Sequence, residues 1–334
     1  MNLSYYHVVV VKNQNYSTST YIKTEKDFDA FIKSFESDKD KFLYRGMNNA
    51  SFKMYSSSQR YWLSKYLSSD SDKYFDFIIH LIDNTYDKPD VKKYMKSENV
   101  QYNEFFILAL MQHFGLPSPL IDFSLEFWKA MFFATDNALT NWIDDGSDSL
   151  CNYISVYMLP KNIDWVQCSL QTVMKTSAEK VNSMIHDVKC NHPNTDFDTV
   201  QTQDNFRYAR LNQFRPGEYS NVKFLVVNGA SAGRIKISIP ELNFNCEYAI
   251  INDRLLSQEG EFVTNFTNMP LVEVMNETCE VKFFRCFNIK KNLVPSIVSK
   301  YLTPMGVNKN TLYLTGNPNV DKIQSAIDEI KRSI

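Results

Sequence analysis

FFILALMQHFGLPSPLIDFSLEFWKAMFFATDN, residues 105–137, decides how this chain folds. Tyr102, Phe105, Phe106, Ala109 and Leu110 recur at helical spacing, and His113 is the next member of that face. Gly115 stops the helix, and Pro117 and Pro119 restrict the connection that follows. Ser124 is placed to cap a second helix, whose Trp128, Met131, Phe132, Thr135, Leu139 and Trp142 share one face. The stretch predicts two buried helices that hold His113 and Asp122 near the ends of a rigid connection.

The whole chain supports a core of that kind. Its 334 residues suffice for one large domain or two ordinary ones, and 44% apolar with 14% aromatic residues excludes disorder for most of it. A formal charge of −2 gives no global pull towards duplex nucleic acid or an anionic membrane, although a local basic groove stays open. Six cysteines are scattered without a CxxC pair, which suits reduced thiols in a cytoplasmic protein. Cys190-x-His192 is the only metal-like pairing and has no second pair to complete a zinc site. The opening MNLSYYHVVVVKNQ lacks a basic leader region, and its apolar run is too short to span a membrane. Residues 7–12 read as a strand, residues 13–20 as a polar turn.

Downstream, Thr24 with Asp27 resembles a capping box opening a helix through Phe35. Residues 42–46, Phe-Leu-Tyr-Arg-Gly, form a strand ending on an arginine and a glycine. Residues 61–95 read as two helices broken near Pro89, and residues 152–159 as a strand. Polar residues dominate 161–200, where one helix is expected near 178–188. Short strands follow at 224–227, 234–239, 248–251 and 281–289, and closing helices at 292–301 and 320–330. No repeat or Pro/Gly/Ser-rich hinge divides the chain, so the fold class is α+β. It is expected as a single mixed unit with a small β-sheet core and packed helices.

Arginine is scarce, 9 of 36 basic residues, so those at special backbone positions stand out. Arg45 reads equally as an anion contact, through its planar fork of donors, or as a structural ion pair with a carboxylate such as Asp122. Gly46 permits close approach of backbone or ligand. Arg60, after the serines 56–58, is a second anion contact. Arg254 and Gln258 are four apart and share a face if helical, and Glu261 follows the turn at Gly260. His113 is open to three roles: neutral hydrogen-bonding group, general base or capped core histidine. Gln112, the neighbour of His113, is expected to point elsewhere on the helix, as a structural residue or bonded to nearby backbone. Asp122 suits a helix N-terminus, where free amides stabilise a carboxylate. Ser56, Ser57 and Ser58 suit a turn better than nucleophilic catalysis.

Tyr44-Arg45-Gly46, the segment SFKMYSSSQR ending in Arg60, and LALMQHFGLPSPLIDFSLEFWKAMFFA together resemble the FRG domain, named for its (Phe/Tyr)-Arg-Gly motif. Arg254-Leu-Leu-Ser-Gln258-Glu-Gly260-Glu-Phe262 is similar to that family's Arg…Gln-x-Gly-x-Phe segment. IKKNLVPSIVSKYLTPMGVNKNTLY resembles its C-terminal helix and turn. Two departures are visible. Ser118-Pro119 replaces the family's Thr-Arg, and Leu312-Tyr313-Leu314-Thr315 replaces a Leu-Phe-Pro-Asp-type run. The resemblance implies an FRG-type domain over residues 24–315 with a variable insertion at about 160–245. Residues 1–23 would then be an N-terminal strand and turn, and 316–334 a C-terminal helix. It also implies a bacterial or phage-borne protein of defence or mobile-element biology.

Two functional classes follow. One is a binding module whose polar, anion-receptive cleft takes a nucleotide-type or other phosphate-bearing ligand, with Tyr44, Arg45, Gly46, Arg60, Arg254 and Gln258 as contacts. The other is an ADP-ribosyltransferase-like enzyme using NAD, with His113, Asp122 and Glu261 as catalytic candidates. Tyr44-Arg45-Gly46, the serines and the late glutamates are similar in kind and order to that class. Glu261, however, is one residue out of its usual register, which on a strand reverses the side chain. Neither class requires a membrane, a metal or broad duplex binding.

Overall fold

Helix α1 (Glu25–Phe35) begins where Thr24 accepts from the Asp27 amide and Asp27 accepts from the Thr24 amide, so the capping box holds both ends of its first turn. It and its neighbours were traced in a computed structural model that describes residues 19–66, 70–97, 104–161, 183, 186–187, 190–192, 224–228, 234–239, 244–249, 260–273, 284–313 and 327–333. Strands β1 (Ser19–Ile22), β2 (Phe42–Met47), β3 (Leu120–Ser124), β4 (Tyr153–Pro160), β5 (Phe224–Asn228), β8 (Gly260–Asn265) and β9 (Arg285–Lys290) build a seven-stranded sheet in the order β1-β9-β4-β2-β3-β8-β5. β1 runs parallel to β9 and the other pairs are antiparallel. β6 (Arg234–Ile239) and β7 (Phe244–Ala249) form a separate two-stranded ribbon. The architecture is α+β, as expected.

Alternation along the strands divides the core. Phe42, Tyr44, Ile154 and Val156 face α1 and α6 (Phe127–Thr135), where they meet Phe28, Phe35 and Met131. Leu43, Tyr157, Leu159 and Val263 face the other way, with Met54 and Leu271. Burial on both faces explains why these strands read as apolar runs. A third cluster belongs to helices α2 (Ser57–Tyr66), α3 (Ser71–Tyr86), α4 (Pro89–Ser97) and α5 (Glu104–His113), which pack around Tyr74, Ile78 and Ile107 and reach Phe262 and Phe266.

The decisive stretch folds differently from its reading. Helix α5 ends as expected: Gly115 takes φ +73°, its amide donates to the Gln112 carbonyl at 3.3 Å, and the Leu116 amide donates to the Met111 carbonyl at 2.8 Å. The connection is not a turn but β3, hydrogen-bonded to β8 from Leu120↔Thr264 to Ser124↔Gly260. Pro117 and Pro119 push their neighbours towards extended backbone. Five residues are too few to announce a strand by periodicity, and the partner lies far downstream. Ser124 therefore pairs with Tyr44, and Glu126 caps α6 by accepting from the Lys129 amide at 3.0 Å. Helix α6 stops at Thr135, and Asn137 and Asn141 adopt φ 56° in the following turns. Leu139 is consequently exposed, and Trp142 donates instead to Asn152 Oδ1 at 2.9 Å.

Elsewhere the differences are smaller. Residues 61–95 belong to three helices rather than two, with Pro89 at the first position of α4, where its missing amide costs nothing. The late strands are shifted to Phe244–Ala249 and Arg285–Lys290. Residues 19 and 20, read as the end of a polar turn, begin β1, and residues 13–18 of that turn lie outside the described residues. The closing helix read at 292–301 appears as α7 (Val294–Ile297), continued by a wide helical turn at Val298–Leu302; α8 (Lys309–Leu312) was not expected, and of the helix read at 320–330 only residues 327–330 are described. Helical residues recur at 327–333, and Lys331 Nζ donates to the Phe114 carbonyl at 2.8 Å. The strand read at residues 7–12 lies outside the described residues, as does most of the helix read near 178–188.

Candidate functional site

Strands β2 and β3 share a single register pair, Tyr44↔Ser124. Beyond it β2 continues with β4 as far as Met47↔Ser155, while β3 continues with β8. Arg45 stands at this fork. Its Nη1 donates to the Asp122 carbonyl at 2.5 Å and lies 3.9 Å from Asp122 Oδ2. Gln112 Nε2 donates to the same Oδ2 at 2.8 Å, and Ser57 Oγ donates to Gln112 Oε1 at 3.4 Å. The result is a chain from the start of α2, through the end of α5 and β3, to β2.

These groups open on a recess of about 320 Å³. Arg45, Gln112, His113 and Asp122 supply its polar wall, and Phe133, Phe262 and Tyr313 its aromatic wall. Phe133 and Tyr313 meet edge to face, centroids 6.0 Å apart. Each member of the Tyr-Arg-Gly triplet has its own task. Tyr44 is fully buried against Phe35 and Phe127, its hydroxyl donates to the Lys39 carbonyl, and burial pushes its phenol well above the ordinary value. Arg45 reaches the recess. Gly46 admits α6: a Cβ there would lie 1.8 Å from the Ala130 carbonyl oxygen and 2.6 Å from the Ala134 amide nitrogen.

Arg45 is held in tension. Burial pushes its guanidinium below the ordinary value, the Asp122 carboxylate opposes that shift, and the charge of Arg60 adds to it. Arg60 thus belongs to the electrostatic field of the site, with its Nη1 donating to the Tyr55 carbonyl at 2.7 Å. The Arg45 Nε is buried and makes no hydrogen bond. Asp122 keeps 46% of its side chain exposed, against 20% for Arg45, so the carboxylate is the more accessible partner.

The structure therefore brings together Tyr44, Arg45, Gly46, His113 and Asp122 around one recess, with Arg60 close by. Asp122 sits in the middle of β3, not at a helix N-terminus, which corrects the capping reading. Gln112 faces the recess, correcting the expectation that it points away. The sequence carries no signal for the direction of its side chain, which the contact with Asp122 on β3 sets. Glu261 is not among the lining residues. It lies opposite Phe123 and Asn228 in register, whereas the adjacent Phe262 lines the recess. Burial raises the Glu261 carboxyl above its ordinary value, and Lys161 opposes the shift. Arg254 and Gln258 lie outside the described residues.

The serines serve structure. Ser56 Oγ and Ser58 Oγ are 3.1 Å apart, Ser58 Oγ is 2.7 Å from the Tyr74 hydroxyl, and Ser57 Oγ accepts from the Ser118 amide at 3.0 Å. Gln59, a residue the sequence reading passed over, accepts from the Ser56 amide and donates to the Thr267 and Met269 carbonyls. Among the described residues, no group of three or more His, Cys, Asp or Glu is arranged to hold a metal ion, and no helix is long and apolar enough to cross a membrane.

Sheet, flanking helices and recess define a mixed α+β domain that gathers polar groups from β2, α5 and β3 at a fork in its sheet. The chain carries an FRG domain: that family's model matches residues 40–141, the segment that contains Arg45, Arg60, Gln112, His113 and Asp122. No curated protein and no solved structure matches the chain.

Proposed function

We propose that the recess binds a nucleotide-type, phosphate-bearing ligand, in the bacterial defence or mobile-element setting that the family resemblance implies. The supporting observation is Arg45: a part-buried guanidinium at a strand fork, with the charge of a second arginine, Arg60, in its field and the Asp122 carboxylate 3.9 Å away. The aromatic wall suits the flat faces of a base or sugar. At about 320 Å³ the recess lies at the small end of the usual range of ligand sites, roughly 300–1,000 Å³, and so suits one nucleoside unit. Electrostatic attraction is localised there, and the overall charge of −2 adds none.

The second reading is an ADP-ribosyltransferase-like enzyme that uses NAD. The order of Arg45, the serines and the late glutamates supports it. The inward bonding of Ser56 and Ser58 and the position of Glu261 support binding over turnover.

The test is calorimetric titration of the purified protein with AMP, ATP and NAD, alongside a nicotinamide-release assay. Wild type is expected to bind at least one nucleotide saturably. Arg45→Lys, which keeps a charge but loses the fork, should weaken binding about tenfold or more. Nicotinamide release abolished by Arg45→Ala would favour the enzyme. Undiminished binding in an Arg45→Ala protein whose melting temperature has fallen would reduce Arg45 to a structural role.

A further inference from the structure

Asp122 adds a requirement that an anion site alone does not explain. Its Oδ2 is occupied, by Gln112 at 2.8 Å and by the charge of Arg45 at 3.9 Å. Its Oδ1 accepts no hydrogen bond among the described residues, and nearly half of the side chain is open to the recess. An ionised carboxylate only accepts, so an oxygen held there repels a phosphate and selects a donor. The backbone behind it is fixed, because Asp122 is paired with Phe262 in the middle of β3. The position is therefore set before a ligand arrives.

We infer that Asp122 accepts from the vicinal hydroxyls of a ribose, so that the recess takes ribonucleotides in preference to deoxyribonucleotides. The inference rests on the nucleotide reading above and specifies its sugar. Two adjacent hydroxyls suit one carboxylate, the same chemistry by which an acidic side chain holds the ribose of a dinucleotide in an unrelated fold. The phosphate is then directed away from Asp122, towards the field of Arg45 and Arg60, and the sugar ring rests on the aromatic wall of Phe133 and Tyr313. Gln112 is the positioning residue. By taking up Oδ2 it leaves Oδ1 as the oxygen presented to the ligand.

The experiment titrates wild type and Asp122→Asn with ATP, 2′-deoxy-ATP and 3′-deoxy-ATP. A lost hydrogen bond to a charged group corresponds to about ten- to a hundredfold in affinity, and wild type should bind at least one deoxy analogue weaker by that factor. In Asp122→Asn, near-isosteric but able to donate, the three affinities should fall within about threefold of one another. Equal binding of ATP and both deoxy analogues by wild type overturns the inference and leaves the nucleotide reading standing. Failure of all three to bind overturns both. Retained discrimination in a folded Asp122→Asn protein moves the sugar contact elsewhere and overturns the role of Asp122.

Discussion

Two polar clusters lie side by side in this domain, and their hydrogen bonds differ in kind. In the cluster at the start of α2, Ser56, Ser58, Tyr74 and Gln59 bond to one another or to backbone, and the side-chain amide of Gln59 reaches both the Thr267 and Met269 carbonyls. In the recess, Asp122 presents an oxygen that has no donor among the described residues, and Arg45 keeps a buried Nε without an acceptor. A network whose members are all satisfied pins one conformation; one that leaves groups open at a cleft carries an energetic cost that a ligand can offset. Ser57 joins the two, bonding Gln112 on one side and the Ser118 backbone on the other. Neighbouring polar residues of similar type thus divide into scaffold and site.

The sharpest way to break this distinction is Gln59→Ala. It removes a buried side chain with three backbone partners, and at about 1–3 kcal/mol for each group left unsatisfied the loss should exceed 3 kcal/mol in chemical denaturation. Ligand affinity in the protein that remains folded should be unchanged, and a small stability loss would mean that the scaffold cluster is not one. Next comes Gly46→Ala, which drives a methyl into the backbone of α6. We expect a loss of about 1–3 kcal/mol, read in the same experiment, with the recess distorted as well.

Asp122→Asn should show the reverse balance. Its melting temperature should shift by a few degrees at most, because the group is half-exposed, while nucleotide discrimination collapses. The smallest effect concerns Glu261. Its folded-state pKa is raised by burial, so the protonated form is favoured by folding. Its contribution to stability is full below the ordinary value of 4.5 and is lost as pH rises through the raised value. Glu261→Gln should therefore raise the melting temperature at pH 7 and make no difference near pH 3. An effect of opposite sign would show that Glu261 has a cationic partner stronger than Lys161.

The site was more legible in the sequence than the fold that carries it. Arg45 and His113 announced themselves because one sits beside a glycine and the other at a helix end, where composition marks a special backbone; Asp122 stood out for a helix N-terminus that β3 replaces. Gln112 did not, since an amide in a helix gives no sign of its direction until the partner strand is known. Spacing located α1, α5 and α6, including the Thr24 cap and the Gly115 stop, but merged three helices over residues 61–95 into two and carried α6 past Thr135. β3 was not located, because its hydrogen bonds are made to β8 and its five residues carry no period of their own. The same holds for β1, four residues whose strand character comes from β9.

Hydrogen exchange with and without ATP tests the division between scaffold and site most directly. Bound nucleotide should slow exchange in residues 42–47, 109–113 and 120–124 and leave residues 56–66 unchanged. Protection confined to the serine cluster and α2, or no protection at the fork of β2 and β3 under saturating ATP, would contradict the account.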